Sequence, residues 1–191
     1  DAATQIARHA GDSTEAAHFG QWIRDGYFAV PGLVDPADID AMVAVLDGLW
    51  DAAAPIPGLT LLDLREEVGA PPRNLSHADL LALPPAVRTR MHAASDWRIH
   101  GFHYVNAPAA RLFHHGGLRS LVSRLFGRAA QPFAAINFMA GSQQHLHQDM
   151  AVFHIHPHDY LVGAWIACED ITAESGPLVF HPGSHRMGMF P

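Results

Sequence analysis

A histidine and an aspartate stand two residues apart at His147 and Asp149, in a stretch rich in histidine and amide side chains. On an extended strand, residues two apart project from the same face. One imidazole and one carboxylate on one face can take two adjacent positions around an iron ion. A distant second histidine would complete a 2-His-1-carboxylate triad that leaves positions open for a co-substrate and O₂. An iron centre is therefore the chemistry that this pair of residue types could support at this spacing.

The His-x-Asp pattern alone is weak here, because the 191 residues include 15 histidines and about one match is expected by chance. A second match stands at His77 and Asp79. Ser76 precedes that match and an apolar pair follows it, which is typical of a helix N-terminus with an acid in its first turn. We therefore predict a structural role for His77, and only the wider context can single out His147 and Asp149.

That context is an ordered set of motifs after Asp149. An aromatic run over 160–170 is followed by a turn and then a loop, Ser175-Gly176-Pro177-Leu178 and Pro182-Gly183-Ser184-His185-Arg186. The order and spacing resemble the phytanoyl-CoA dioxygenase family of non-haem Fe(II)/2-oxoglutarate oxygenases, and the segment 25–36 is similar to the opening element of that family. The ordered set is far more specific than any one motif.

The resemblance implies an α+β fold. Its core would be a double-stranded β-helix (a cupin-like jelly roll) with N-terminal and flanking helices. Iron would lie inside one end of the barrel, with His147 and Asp149 as metal ligands and catalytic residues. Residues 1–127 would be mainly helical and 128–191 would supply the first strands of a single domain. The remaining strands, the distal histidine ligand and the arginine that pairs with 2-oxoglutarate are expected beyond Pro191, so the barrel is incomplete in this chain.

The resemblance also implies two residues for co-substrate binding. Trp165 stands where family members place an aromatic side chain beside 2-oxoglutarate, and Asn137 precedes the metal motif on a strand that can face the same cavity. Each has a structural alternative. Trp165 can be a core aromatic residue with a satisfied indole N–H, and Asn137 can be an ordinary strand residue.

The activity implied by the resemblance is that of an Fe(II)/2-oxoglutarate-dependent dioxygenase. Such an enzyme uses O₂ to hydroxylate a C–H bond of a small-molecule substrate and converts 2-oxoglutarate to succinate. Related halogenases have a small residue where this chain has Asp149, so the carboxylate favours hydroxylation or another oxidation such as desaturation. Two alternatives stay open: a cupin-type metalloenzyme that uses His145 and His147 without 2-oxoglutarate, and a non-catalytic β-barrel binding module.

Composition excludes several classes of partner. The formal net charge of −7 argues against nucleic acid, whose binding proteins display basic stripes. No apolar stretch reaches the length of about 18 residues that a membrane span needs.

The single cysteine, Cys168, lies in an apolar run, where we expect it to be buried and inert, and it fits a reducing, cytoplasmic location. All 12 basic residues are arginine and alanine is frequent. Such amino-acid usage is typical of a bacterial genome rich in G and C.

Helical signals dominate the first part of the chain and β-type runs the last. A cap at Ser13 or Thr14 predicts a helix that ends at Asp25-Gly26, and Asp35-Pro36 predicts a second helix to about Ala53. Short helices are predicted over 76–83, 85–94 and 108–126, the last broken at Gly116-Gly117, with an irregular excursion over 55–75. Predicted β-type runs cover 27–30, 131–139, 160–168 and 177–181.

Overall fold

The computed structural model describes residues 2–139, 145–157 and 160–188. Helices occupy most of the first two thirds and four short strands lie among them. The helices are α1 (Ala2–Arg8), α2 (Ser13–Asp25), α3 (Pro36–Asp47), α4 (His77–Ala82), α5 (Pro85–Ala94), α6 (Ala107–Phe113), α7 (Gly116–Phe126) and α8 (Asp149–Phe153). The strands are β1 (Thr60–Leu64), β2 (Arg73–Ser76), β3 (Arg98–His100) and β4 (Ile136–Phe138), and short 3-10 helices cover Leu49–Asp51, Phe102–Tyr104 and Ser184–Arg186.

The predicted helices are confirmed, and local capping explains where they begin. The Asp12 carboxylate accepts from the Glu15 N–H at 2.9 Å and caps α2, one residue before the predicted Ser13. The Asp35 carboxylate accepts from the Ala37 N–H at 2.9 Å, with proline in the first turn of α3. Each cap supplies an acceptor for an N–H group that has no partner within its helix.

The predicted break at Gly116-Gly117 is also confirmed. Helix α6 ends at Phe113, and α7 begins at Gly116 with the His115 imidazole Nδ1 accepting from the Leu118 N–H at 3.1 Å. The pair of glycines weakens a continuous helix because glycine loses more backbone entropy than other residues on folding. A histidine cap then starts the new helix.

The four strands form one antiparallel sheet in the order β2-β1-β3-β4. Ile99 of β3 lies opposite Asn137 of β4, and Arg98 lies opposite Phe138. A bulge in β1 leaves Asp63 at a φ of 61°, where its carboxylate pairs with Arg98 Nε at 2.6 Å. One face of the sheet packs on the helices, since Leu61, Leu64 and Ile99 are fully buried.

Two apolar clusters hold the helices. The larger one joins α3, α4, α5 and α6 to the sheet around residues such as Leu49, Leu80, Met91 and Phe102. The smaller one is built on Phe19 of α2 with Leu121 and Leu125 of α7, and Val162 packs against it. Through Val162, the segment that follows α8 is attached to the helical part.

Several β-type predictions were wrong in detail. The excursion over 55–75 contains β1 and the start of β2, whereas 27–30 and the described residues of 160–168 and 177–181 form no strand. Only Ile136–Phe138 of the predicted run 131–139 joins the sheet. A strand requires a partner to accept and donate its backbone hydrogen bonds, and within the described ranges these runs have none. The α+β class agrees with the structure, and the double-stranded β-helix stays a prediction.

Two smaller expectations can be compared with the structure. Cys168 is exposed, not buried as predicted, although shielding of the thiol from solvent and the neighbouring charge of Glu169 raise its pKa. A raised pKa fits the predicted inertness, because the thiolate is the nucleophile. None of the helices in the described ranges has the length and apolarity to cross a membrane.

His77 is a structural residue, as predicted. Its side chain is fully buried, its Nδ1 accepts from the Ile56 N–H at 2.9 Å, and its Nε2 lies 2.7 Å from the Leu49 carbonyl oxygen. A carbonyl can only accept, so Nε2 carries the proton. Ser76 caps α4 by accepting from the Asp79 N–H at 3.1 Å.

We expect His77→Ala to lower the free energy of unfolding by about 2–4 kcal/mol, because it leaves a buried N–H and a buried carbonyl unpaired and opens a cavity. Urea unfolding measures this change. The exposed His181 provides a control, and His181→Ala should stay within about 0.5 kcal/mol of the parent. Equal losses in the two variants would contradict a structural role for His77.

The burial of the His103 imidazole predicts that the free energy of unfolding depends on pH. The residue is 9% exposed and its ring stacks on Phe113 with centroids 3.6 Å apart. Neither ring nitrogen has a hydrogen-bond partner in the described part of the chain. Burial lowers the pKa of His103, and the nearby His114 lowers it further. The unfolded chain therefore takes up a proton near the usual pKa of about 6.5 while the native chain resists it.

Stability should therefore be intact above about pH 6.5 and fall as the pH drops below that value, since the unfolded state then binds more protons. We expect His103→Phe, which keeps an aromatic ring on Phe113, to lose less stability than the parent between about pH 7 and pH 5.5 in urea unfolding. Some dependence will remain because burial also lowers the pKa of His100. Identical losses in parent and variant would contradict this assignment.

Candidate functional site

His147 and Asp149 lie next to each other, but not on a strand. His147 is in irregular backbone and Asp149 is the first residue of α8, so the expected strand geometry was wrong. The side chains meet nevertheless, with His147 Nε2 3.2 Å from Asp149 Oδ1. Both are about half exposed, at 45% and 52%. An aspartate in the first turn of a helix also interacts favourably with the helix dipole.

A hydrogen bond to the backbone sets the orientation of the His147 ring. Nδ1 lies 2.8 Å from the carbonyl oxygen of His145. Because the carbonyl can only accept, Nδ1 carries a proton and Nε2 is the nitrogen left to face the Asp149 carboxylate. In the neutral ring, Nε2 is itself an acceptor. Two acceptor atoms 3.2 Å apart need a positive species between them or beside them, either a proton on Nε2 or a metal ion.

This donor set fits two positions of an iron site. Neutral imidazole and carboxylate are the protein ligands of the 2-His-1-carboxylate iron centre. A histidine ligand commonly donates its second ring N–H to a backbone carbonyl, which fixes the tautomer that binds metal. His147 already has that arrangement. Two adjacent ligand atoms at about 2.1 Å from one metal ion are separated by roughly 3 Å, comparable to the observed separation of 3.2 Å.

The described residues supply no third ligand. Nowhere in 2–139, 145–157 or 160–188 do three His, Cys, Asp or Glu side chains form a group that could hold a metal ion. His185, the histidine of the loop 182–186, contacts α2 instead: its Nε2 lies 3.3 Å from the carbonyl oxygen of Ile23. The predicted pair is therefore brought together, and the distal histidine stays a prediction.

Asn137 and Trp165, the predicted co-substrate residues, lie in different surroundings. Asn137 lies on β4, and its amide nitrogen is 3.3 Å from Met42 Sδ in α3, so this side chain points toward the helical core. Trp165 is 51% exposed, which argues against the buried-core alternative for its indole. Both co-substrate roles stay predictions.

Two residues at the pair were missed by the analysis of the sequence. A Cβ atom on Gly163 would lie 3.3 Å from Asp149 Oδ2, so the chain passes close to the carboxylate there. Gln148, between the two candidate ligands, donates from Nε2 to the Gly188 carbonyl at 3.2 Å. A signal for Gly163 was present, since an isolated glycine inside a β-type run often marks a close backbone approach.

Aromatic contacts attach the segments around the pair to the helical part. The Tyr160 ring meets the Phe126 ring of α7 edge to face at 5.4 Å, and the Arg128 guanidinium lies 4.8 Å from the Tyr160 centroid. Phe153 of α8 meets Phe133 edge to face at 5.8 Å. Such pairs contribute about 0.5–1.5 kcal/mol each beyond the burial of their area. Both contacts are made by residues that follow Asp149 in the chain.

Comparisons with known proteins confirm the family that the sequence resembles. The family described as Phytanoyl-CoA dioxygenase (PhyH) matches residues 22–191. The "Phytanoyl-CoA dioxygenase, peroxisomal" of Homo sapiens is 42% identical over 50 residues, which cover 26% of this chain and 15% of that protein. The "Probable phytanoyl-CoA dioxygenase" of Caenorhabditis elegans is 40% identical over 50 residues, which cover 26% of this chain and 16% of that protein.

The extent of these matches differs. The chain matches only about a sixth of the length of each of the two relatives. No solved structure matches the chain. The family match is much longer, because it begins within α2 and includes the sheet, the His147–Asp149 pair and the loop 182–186. Since this match spans most of the sequence, the chain belongs to the phytanoyl-CoA dioxygenase family.

Proposed function

We propose that this protein is an Fe(II)/2-oxoglutarate-dependent dioxygenase that hydroxylates a C–H bond of a small-molecule substrate. The observation that carries the proposal is the contact of His147 Nε2 with Asp149 Oδ1 at 3.2 Å, with the other ring nitrogen held by the His145 carbonyl. Membership of the dioxygenase family supports the oxygenase class. The acidic net charge supports a small-molecule substrate over nucleic acid, and we propose a cytoplasmic location.

His147 and Asp149 would each have a distinct role in binding iron. His147 binds iron through Nε2, since its Nδ1–H is committed to the His145 carbonyl. Asp149 supplies a carboxylate oxygen beside it, and the absence of a side chain at Gly163 leaves room for the second oxygen. The bound Fe(II) and 2-oxoglutarate would supply the activation of O₂, with 2-oxoglutarate converted to succinate and CO₂.

The proposed co-substrate residues act by contact. The half-exposed indole of Trp165 offers a flat apolar face, with an N–H donor, against which 2-oxoglutarate can lie. Asn137 would have to use its amide oxygen or its second N–H, because one amide N–H is directed to Met42 Sδ. Trp165 stands two residues after Gly163, where the chain passes close to the Asp149 carboxylate. The co-substrate role of Trp165 is therefore better supported than that of Asn137.

We expect His147→Ala and Asp149→Ala each to weaken Fe(II) binding by the full-length protein by at least about 100-fold, because each removes a direct ligand where loss of a supporting partner already costs about 10- to 100-fold. Succinate formation that depends on 2-oxoglutarate should be lost with it. Anaerobic titration of the metal-free protein with Fe(II) measures the first effect, and succinate assay of the loaded protein measures the second.

His145→Ala is the matched control, because it keeps the backbone carbonyl that orients His147. Its Fe(II) affinity should stay within about threefold of the parent, which is small beside the loss of a ligand. A cupin-type site built on His145 and His147 would instead lose affinity with His145→Ala and keep it with Asp149→Ala. A non-catalytic binding module would show no succinate in any variant, including the parent.

A second prediction concerns Gly163. Gly163→Ala places a Cβ atom 3.3 Å from Asp149 Oδ2, so the carboxylate or the passing chain must shift by a few tenths of an ångström. We expect Fe(II) affinity to fall roughly 3- to 10-fold, the lower range for a perturbed supporting contact. Gly20→Ala is the control, since nothing lies within 4 Å of its added Cβ. Unchanged affinity in both variants would show that Asp149 does not need the space.

A further inference from the structure

We infer that Arg186 and Gln148 are positioning residues for the His147–Asp149 pair, an inference that rests on the proposed function. Arg186 attaches the loop 182–188 to the C-terminal end of α2 through its side chain. The Gly188 carbonyl of the same loop accepts a hydrogen bond from Gln148, the residue between the two candidate ligands. The structure thus connects the end of α2 to the pair by one continuous set of contacts.

The first set of contacts satisfies backbone groups at the end of α2. Arg186 Nη2 donates to the Ile23 carbonyl at 2.6 Å and to the Arg24 carbonyl at 3.2 Å. The Gly183 N–H donates to the Asp25 carbonyl at 2.9 Å. The last four carbonyls of a helix have no partner within the helix, and the negative end of its dipole attracts a cation. Arg186 supplies the charge and the donor to two of these carbonyls, and Gly183 supplies the donor to the third.

Close approach at this contact depends on Gly26. Its backbone is left-handed, at a φ of 86°, and a Cβ atom there would lie 2.5 Å from His185 Nδ1. The ring of Tyr27 stacks on Phe180 with centroids 4.6 Å apart. A glycine that leaves room for one side chain, next to a stacked ring pair, indicates a shaped contact between segments about 160 residues apart rather than a chance encounter of charges.

The second set of contacts reaches the metal motif. Gly188 stands two residues after Arg186, and its carbonyl accepts from Gln148 Nε2 at 3.2 Å. His147 and Asp149 are half exposed and His147 lies in irregular backbone, so the intervening residue is where an outside contact can fix the backbone of both. Partners that orient metal ligands without touching the metal typically change metal affinity by about 10- to 100-fold.

Arg24 offers a matched control at the same helix end. Its guanidinium pairs with the adjacent Asp25 at 2.7 Å and is exposed, so Arg24→Met removes one cation there without removing a donor to the loop. The Arg24 carbonyl that accepts from Arg186 is a backbone atom and is kept in that variant. Loss of charge and loss of the contact are therefore separable.

The experiment measures the Fe(II) dissociation constant of the full-length protein for Gln148→Met, Arg186→Met, the double variant, Arg186→Lys and Arg24→Met, with urea unfolding of each metal-free protein alongside. We expect Gln148→Met and Arg186→Met each to weaken Fe(II) binding about 10-fold, and the double variant to be no weaker than the worse single one, because both act through one set of contacts. Arg186→Lys should recover part of the affinity, and Arg24→Met should match the parent.

Three results would overturn the inference: Arg186→Met binding Fe(II) as Arg24→Met does, fully additive losses in the double variant, or no recovery with lysine. A loss of affinity that tracks a loss of unfolding free energy across the set would overturn it as well, since that is the signature of general destabilisation. Failure of the proposed function is separate, because it would appear as unchanged Fe(II) binding in His147→Ala.

Discussion

The contact between the C-terminal end of α2 and the loop 182–188 joins the two ends of the described chain. The last carbonyls of a helix have no partner within it, and here the loop supplies donors to them through Arg186 and Gly183. That loop can come close only because Gly26 ends the helix in a left-handed conformation without a side chain. The two ends of the family match are thus joined by the chemistry of one helix terminus.

The orientation of His147 follows from an equally simple rule. A carbonyl cannot donate, so the contact with His145 assigns the proton of the neutral ring to Nδ1 and directs Nε2 at Asp149. Two acceptors facing one another are repelled unless a positive charge is present, which either a proton on Nε2 or a bound metal ion would supply. The same reasoning applied to His77 gives the opposite assignment, since its Nε2 faces a carbonyl and its Nδ1 accepts from an N–H.

The two His-x-Asp patterns show how burial decides the use of a motif. His77 is fully buried and both its ring nitrogens are satisfied by backbone groups, which leaves no lone pair for a metal. His147 is half exposed and retains one nitrogen that faces a carboxylate. The pattern of three residues is the same in both places, and the difference lies in what the surrounding chain brings to the imidazole.

Local chemistry in the sequence determined the helices and the identity of the candidate pair. Caps at Asp35 and Ser76, a proline in the first turn of α3 and the two glycines at the start of α7 act within a few residues, so they can be recognised without a fold. The ordered motifs after Asp149 likewise depend on sequence alone, and they led to the family. Asp12 was missed as the cap of α2 by one residue, because Ser13 and Thr14 are equally good caps.

Only the tertiary structure decided which β-type runs became strands, that Cys168 is exposed, that Asn137 points to Met42, that Gly163 lies close to Asp149 and that Gln148 bonds to Gly188. A strand forms only where another strand completes its hydrogen bonds, and that partner can stand far away in sequence: β1 pairs with both β2 and β3, and β3 with β4. The approach of Gly163 to Asp149 and of the loop 182–188 to α2 is likewise a distance between remote segments, and no local pattern encodes it.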